Sequence, residues 1–257
     1  MAAPEDPFVD TDGRPRRVRG AAVNSGSPIL ASLAAQIGFE AVWIEMEHAS
    51  THWPEVAAVC TAAELDGAVP LVRVPDGRRH HILGALESGA RIVVVPMTST
   101  VDQARAIVDH GKYPPIGQRG FNLRTRNTGF GLIKAPEALD RVNRRNHLFA
   151  QIETLEGVEN VDAMCQIEGL SGIFLGPADL SVDMGMIAQL NDPKIIQAAV
   201  GCIERGKAAG KLTGIIVAPG PLLDAALEAG ADLVVSAGDL MNLTTEWPKQ
   251  LDAIPMQ

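Results

Sequence analysis

Two carboxylates, Glu153 and Asp179, each follow an apolar run short enough to be a buried strand. Because the carboxyl ends of consecutive parallel strands meet on the same rim of a barrel, the two side chains could lie close together. Carboxylate oxygens suit Mg²⁺ or Mn²⁺, and two of them leave positions on the ion for water and substrate. Either acid could instead cap the helix that follows it. The nearby Gln151 and the turn Gly176-Pro177-Ala178 favour the metal site.

A second group of polar residues, Glu45, Glu47 and His48, lies at the end of another apolar run. A carboxylate beside an imidazole fixes its tautomer and raises its basicity, which suits a general acid or base near neutral pH. The alternative is that His48 only enters a surface turn. Arg73 lies at the end of the apolar segment 69–74, where an unpaired cation is costly. Arg73 therefore requires a carboxylate partner. The partner could be Glu47 or a substrate anion, and the alternative is a purely structural ion pair.

The rest of the sequence argues against several other functions. No lysine ends an apolar strand, as a Schiff-base aldolase would require, and there is no Walker A, GxSxG or post-strand GxGxxG motif. The net charge of -9 argues against nucleic acid or an anionic membrane surface as a partner. Three widely spaced cysteines, without a secretory signal or a membrane-spanning run, favour a cytoplasmic protein.

Eight apolar runs alternate with helical segments along the chain. They cover residues 18–23, 41–45, 69–74, 91–96, 147–153, 171–176, 212–217 and 232–237. The runs are continuous, which is typical of parallel strands covered on both faces. They predict an α/β fold, a single-domain (β/α)8 TIM barrel over residues 17–257, with a doubly wound open sheet as the alternative. The acidic, proline-rich residues 1–16 are expected to be a flexible N-terminal arm.

With these motifs in this order, the chain from about Gly20 to Leu251 resembles the HpcH/HpaI family of class II, metal-dependent pyruvate aldolases. The matching segments are 44-IEMEH-48, 70-PLVRVP-75, 95-VPM-97, 113-YPPIGQRG-120, 151-QIET-154 and 174-FLGPADLS-181. The resemblance implies a (β/α)8 barrel and a lyase that cleaves or forms 4-hydroxy-2-oxo acids from pyruvate and an aldehyde. It also implies a homohexamer built from dimers that exchange their last helix.

The same resemblance assigns roles to residues of this chain. Glu153 and Asp179 would bind the metal, which is expected to be Mg²⁺ or Mn²⁺, with Co²⁺ or Zn²⁺ also compatible. Arg73 would contact the keto oxygen and stabilise the enolate. Gln151 and the backbone of Gly176-Pro177-Ala178 would hold the pyruvate unit.

The resemblance also pairs His48 with Glu45 for proton transfer, at a position where the family usually has Asp. That departure keeps two other functions open. One is related enolate chemistry, such as the oxaloacetate decarboxylation of macrophomate synthase. The other is a non-catalytic barrel that binds a keto acid.

Overall fold

The computed structural model describes residues 3–254, and its eight parallel strands form a closed barrel in chain order from β1 to β8. The strands are β1 (Val18–Val23), β2 (Ala41–Glu45), β3 (Val69–Arg73), β4 (Ile92–Val95), β5 (His147–Ile152), β6 (Gly172–Leu175), β7 (Leu212–Ile216) and β8 (Leu233–Gly238). The last strand, β8, pairs in parallel with β1. The predicted (β/α)8 barrel is therefore confirmed, and the open sheet is excluded.

Ten α-helices surround this barrel within residues 3–254. They are α1 (Pro28–Ile37), α2 (Trp53–Leu65), α3 (Arg79–Ser88), α4 (Val101–Gly111), α5 (Ala135–Arg145), α6 (Leu155–Cys165), α7 (Pro177–Asp183), α8 (Pro193–Ala208), α9 (Pro221–Glu228) and α10 (Asp239–Asp252). The sequence did not predict α7, which has only seven residues. None of the described helices combines the length and the apolar character needed to cross a membrane.

Large side chains fill the interior of the barrel. Trp43 from β2 and Phe174 from β6 meet with ring centroids 5.2 Å apart, and Phe149 from β5 packs edge-on against Phe174 at 6.5 Å. All three are fully buried. A second apolar layer lies between the outer faces of the strands and the helices. The strands thus bury both faces, which explains why their sequences are continuous apolar runs.

Part of the N-terminal segment, which the sequence predicted to be a flexible arm, packs across the amino end of the barrel. Phe8 is 4% exposed and packs edge-on against His147 at a centroid distance of 4.9 Å. The buried Arg91 guanidinium donates hydrogen bonds to the carbonyl oxygens of Pro4 and Glu5. These contacts join the segment to the barrel at one aromatic ring and two carbonyl groups. Residues 1 and 2 of the expected arm, and residues 255–257 of the expected barrel domain, lie outside the described part.

Candidate active site

The carboxyl ends of the strands surround an open cavity of about 460 Å³. Eight of the nine residues to which the family resemblance assigns roles line it, namely His48, Arg73, Gln151, Glu153, Gly176, Pro177, Ala178 and Asp179. They come from four different strand ends, so the fold alone brings them together. The ninth residue, Glu45, lies beneath the cavity floor at 4% exposure and touches Arg73.

Glu153 is the most perturbed carboxylate of the cavity. Its side chain follows β5 and is almost fully buried. One oxygen accepts a hydrogen bond from the Met97 backbone N–H at 2.8 Å, and the other accepts one from the Gln151 amide. Burial raises the pKa of Glu153 to about 7, with the nearby charges of Glu47 and Asp179 adding to the shift and the Met97 N–H opposing it. The site therefore gathers more negative charge than its own hydrogen bonds balance.

A glycine makes room for Glu153 and Gln151. A Cβ atom at Gly176 would lie 2.7 Å from Cγ of Glu153 and 2.8 Å from Nε2 of Gln151. Those distances are shorter than ordinary carbon contacts, so a larger residue would displace both side chains. Pro177 then starts α7, and Asp179 lies half-buried in its first turn.

The helix-cap alternative does not account for either acid. The cap of α6 is Thr154, whose hydroxyl accepts from the Gly157 N–H at 3.0 Å, so Glu153 has no capping role there. The cap of α7 is Gly176, three residues before Asp179. Both carboxylates are consequently left to face the cavity.

Arg73 is held by carboxylates on two sides. Its Nε donates to Oε2 of Glu45 at 2.8 Å, and one terminal nitrogen lies 2.7 Å from the same oxygen. The other terminal nitrogen lies 2.8 Å from Glu47 Oε2 and 4.0 Å from Glu153 Oε1. Burial tends to raise the pKa of Glu45, but Arg73 outweighs it and holds that pKa below its ordinary value. Arg73 is thus fixed in orientation at the edge of the cavity.

The structure does not form the expected contact between Glu45 and the His48 imidazole. Glu45 Oε1 accepts the backbone N–H groups of Glu47 and His48 at 2.6 and 3.1 Å, while Oε2 is taken by Trp43 and Arg73. The imidazole is 62% exposed, and its Nε2 lies 3.7 Å from Glu47 Oε2. Glu45, as the last residue of β2, points toward the buried Arg73. Glu47, the other partner considered from the sequence, is the acid beside the imidazole.

Glu47 links the arginine to the histidine. It is half-buried, and burial raises its pKa, an effect that Arg73 and His48 oppose and that the charges of Glu45 and Asp179 reinforce. Its Oε2 lies close to Arg73, but no N–H of the described residues is aligned for a hydrogen bond to it. Part of its bonding capacity is therefore free.

One group of the site is a backbone N–H, which the sequence analysis did not identify. The backbone N–H of Met97, just after β4, binds Glu153, and Met97 has a positive φ of 51°. Non-glycine residues seldom adopt this left-handed conformation, so it marks local strain beside the carboxylate. Every residue type except proline has a backbone N–H, which is why composition could not identify this donor.

The cavity residues fit a divalent metal of the kind that prefers oxygen ligands. Among the described residues there is no cluster of three or more His, Cys, Asp or Glu that would enclose an ion by itself. Glu153 and Asp179 instead offer an open pair of carboxylates, and Oε1 of the fully buried Gln151 finds no donor within residues 3–254. A buried acceptor and a carboxyl pKa of about 7 both indicate unmet demand for a cation.

Comparison with known proteins agrees with this geometry. A family model described as HpcH/HpaI aldolase/citrate lyase matches residues 21–244. The chain is 31% identical over 246 residues to a hydroxypyruvate/pyruvate aldolase of Roseobacter denitrificans, which covers 95% of this chain and 94% of that one. It is also 31% identical to a 2-keto-3-deoxy-L-rhamnonate aldolase of Salmonella gallinarum, over 86% of this chain and 83% of that one. A crystal structure of an HpcH/HpaI aldolase from Desulfitobacterium hafniense superposes with a TM-score of 0.87 at 27% identity, covering 93% and 94% of the two chains.

Proposed function

The chain belongs to the HpcH/HpaI aldolase/citrate lyase family and is a metal-dependent aldolase, and we propose that its substrates are pyruvate, an aldehyde and the 4-hydroxy-2-oxo acid that joins them. The observation that carries the proposal is the buried Glu153 carboxyl. The pKa of this carboxyl is raised to about 7, and the carboxylates of Glu47 and Asp179 lie nearby, so a bound cation would stabilise the site. A terminal nitrogen of Arg73 lies 4.0 Å from Glu153 Oε1 and can donate to a keto oxygen.

We propose that Glu153 and Asp179 hold the divalent ion. Carboxylate and amide oxygens favour Mg²⁺ or Mn²⁺, while Co²⁺ and Zn²⁺ remain compatible with the same ligands. When bound, the ion supplies Lewis-acid polarisation of the 2-oxo group. Gln151 orients Glu153 through its amide N–H, and its unpaired oxygen could accept a hydrogen bond from the substrate.

Two parts of the site would bind the keto acid, namely the backbone N–H groups at the start of α7 and the Arg73 guanidinium. The first N–H groups of α7, at Ala178 and Asp179, have no intrahelical acceptor and can bind the substrate carboxylate. Arg73 would donate to the 2-oxo oxygen, where negative charge develops as the C3–C4 bond breaks. Because Glu45 and Glu47 already fix the guanidinium, little reorganisation is needed in the transition state.

His48 is our candidate for the proton at the C4 hydroxyl. In cleavage, the imidazole takes this proton directly or through one water, the C3–C4 bond breaks, and C4 leaves as the aldehyde carbonyl. Glu47, 3.7 Å from the imidazole, can stabilise the resulting positive charge. Glu45 acts on the same residue through the backbone N–H of His48 rather than through the ring.

Exchange of the pyruvate methyl protons in D₂O tests this function without knowledge of the aldehyde. With saturating Mg²⁺ or Mn²⁺ we expect exchange by the wild-type protein and its loss in Glu153→Gln. Absence of exchange with every divalent ion would contradict the proposal and favour a barrel that only binds keto acids. Decarboxylation of oxaloacetate much faster than aldol cleavage would instead favour the related reaction.

We also propose a homo-oligomer, a hexamer built from dimers that exchange α10. In the isolated chain α10 has no buried residue, and Trp247 and Leu251 are 62% and 70% exposed. An apolar groove lies between α10 and α1, where Leu33 and Ile37 are also exposed. Light scattering should give about six times the chain mass of 27.2 kDa for the wild type and a smaller particle for Leu33→Glu. A wild-type monomer would contradict this assembly.

A cytoplasmic location is consistent with the thiols of the chain. Cys60, Cys165 and Cys202 are all free and buried. Burial raises the pKa of the Cys60 thiol above its usual range and that of Cys202 to about 12, so neither is a reactive thiolate. We therefore propose that the protein works in a reducing compartment.

A further inference from the structure

One wall of the active-site cavity is apolar except at two positions. This wall comes from the ends of β7, β8 and β1 and from the first turn of α10, beside the strands that carry the carboxylates, and is lined by Ala22, Ile216, Val217, Val235, Ala237 and Met241. The two polar side chains within it are Asn24, just after β1, and Ser236 in β8. An alkyl aldehyde would make no hydrogen bond to either of them, whereas a hydroxylated aldehyde could.

A β-bulge brings Ser236 into this wall. In the pairing of β1 with β8, Gly20 lies opposite Val235 and the next residue, Ala21, lies opposite Ala237, so Ser236 has no partner residue on β1. Bulges are rare between parallel strands and re-aim the side chain of the extra residue. Ser236 lines the cavity and is only half-buried. Its hydroxyl makes no hydrogen bond to any residue in the range 3–254.

Asn24 is fixed by its backbone while its side chain stays free. Asp239, at the start of α10, accepts the Asn24 N–H at 2.9 Å and the Ser25 N–H at 3.0 Å. The same carboxylate accepts the Ser25 hydroxyl. These three bonds hold the loop that follows β1 against α10. The Asn24 amide itself lines the cavity and has no hydrogen-bond partner in the described part of the chain.

We propose that Asn24 and Ser236 form a subsite for a hydroxyl group, and that the aldehyde substrate is a short hydroxyaldehyde. The inference rests on the proposed aldolase function and specifies its second substrate. An amide and a hydroxyl can each donate to and accept from a neutral hydroxyl group. A site built to bind a substrate hydroxyl discriminates against the analogue that lacks it, because its own polar groups are then left unpaired.

The charges around the wall favour a neutral group over an anionic one. Among the described residues that line the cavity, Arg73 is the sole arginine or lysine, and it is engaged by Glu45 and Glu47 on the other side. The acid nearest to Asn24 is Asp239, which would repel a carboxylate or phosphate at this position. A neutral hydroxyl group needs no cation from the protein and is not repelled by Asp239.

The test compares two aldehydes of almost equal size, glycolaldehyde and acetaldehyde, in condensation with pyruvate. We expect wild-type kcat/KM to favour glycolaldehyde at least tenfold. Asn24→Ala and Ser236→Ala should each reduce this preference about fivefold, the effect of one neutral hydrogen bond. Ser236→Thr retains a hydroxyl and should retain the preference.

Different failures of this test have different meanings. A wild-type preference for acetaldehyde, or for an anionic aldehyde such as succinic semialdehyde, would overturn the hydroxyl subsite. Equal losses with glycolaldehyde and acetaldehyde in both alanine variants would also overturn it. In each of these cases exchange of the pyruvate methyl protons by the wild type would show that the aldolase function itself stands. Absence of that exchange would remove the proposed function and the subsite together.

Discussion

Replacing Glu153 by glutamine should stabilise the metal-free protein while it removes the activity. The variant keeps the shape of the side chain and an oxygen that can accept from the Met97 N–H, but it carries no charge. In the folded protein burial raises the pKa of Glu153 from an ordinary 4.5 to about 7. The folded state therefore binds this proton more tightly than the unfolded state does.

The sign and size of the effect follow from that difference. Between pH 4.5 and about pH 7 the folded state binds more protons than the unfolded state, so stability falls as the pH rises. Above pH 7 the full penalty is present, and it amounts to about 3 kcal/mol for one buried carboxylate. At pH 5 most of the folded protein keeps the proton, and the penalty is below about 1 kcal/mol.

Urea unfolding in EDTA at pH 5 and pH 8 measures this difference. We expect Glu153→Gln to exceed the wild type in free energy of unfolding by about 3 kcal/mol at pH 8 and by under 1 kcal/mol at pH 5. Glu204→Gln, at an exposed position of α8, is the matched control and should show no such dependence. Added Mg²⁺ or Mn²⁺ should stabilise the wild type by mass action and leave Glu153→Gln unchanged.

Two results would refute the reasoning. If Glu153→Gln changed stability equally at pH 5 and pH 8, the carboxyl would not have a raised pKa in the folded protein. If the variant were still stabilised by the divalent ions, Glu153 would not be a ligand. The expected outcome is a trade-off, in which a group kept for function destabilises the protein that carries it.

Three further substitutions separate the parts of the site. Gly176→Ala should abolish stabilisation by Mn²⁺ in thermal unfolding, because its Cβ would displace Glu153; unchanged stabilisation would contradict the close packing. Glu45→Asp cannot reach Arg73 and the backbone N–H groups of the β2–α2 loop at once, so kcat should fall at least tenfold while affinity for Mn²⁺, measured by calorimetry, stays the same. Phe8→Ala should lower the free energy of unfolding in urea by about 3–5 kcal/mol. Its kcat should be unchanged, since Phe8 lies at the amino end of the barrel. Unchanged stability would indicate that the N-terminal segment is a flexible arm.

The sequence predicted the barrel because its signal is repeated and local. The strands are mostly apolar runs, and Ala41–Glu45 and Gly172–Leu175, for example, are buried on both faces. Parallel strands then place their carboxyl ends on one rim, whatever the details of packing. The positions of the strands were therefore sufficient to predict that Glu153, Asp179 and Arg73 lie at one cavity.

Short or irregular elements gave no comparable signal. The seven residues of α7 are too few to show a helical period, so the sequence predicted no helix at Asp179 and placed it only at the end of a strand. The bulge at Ser236 depends on the register between β1 and β8, which neither strand encodes by itself. Phe8 orders the N-terminal segment only because the barrel offers it a place beside His147.

The sequence by itself thus determined which residue types gather at the rim, and the tertiary structure decided which of them pair. Glu45 and His48 are close in sequence, yet Glu45 binds Arg73 from the next strand and leaves the imidazole near Glu47. Partner choice depends on distances and directions through space, and a raised pKa such as that of Glu153 depends on burial by residues from several strands. Both are properties of the folded barrel, because no segment of the chain contains them alone.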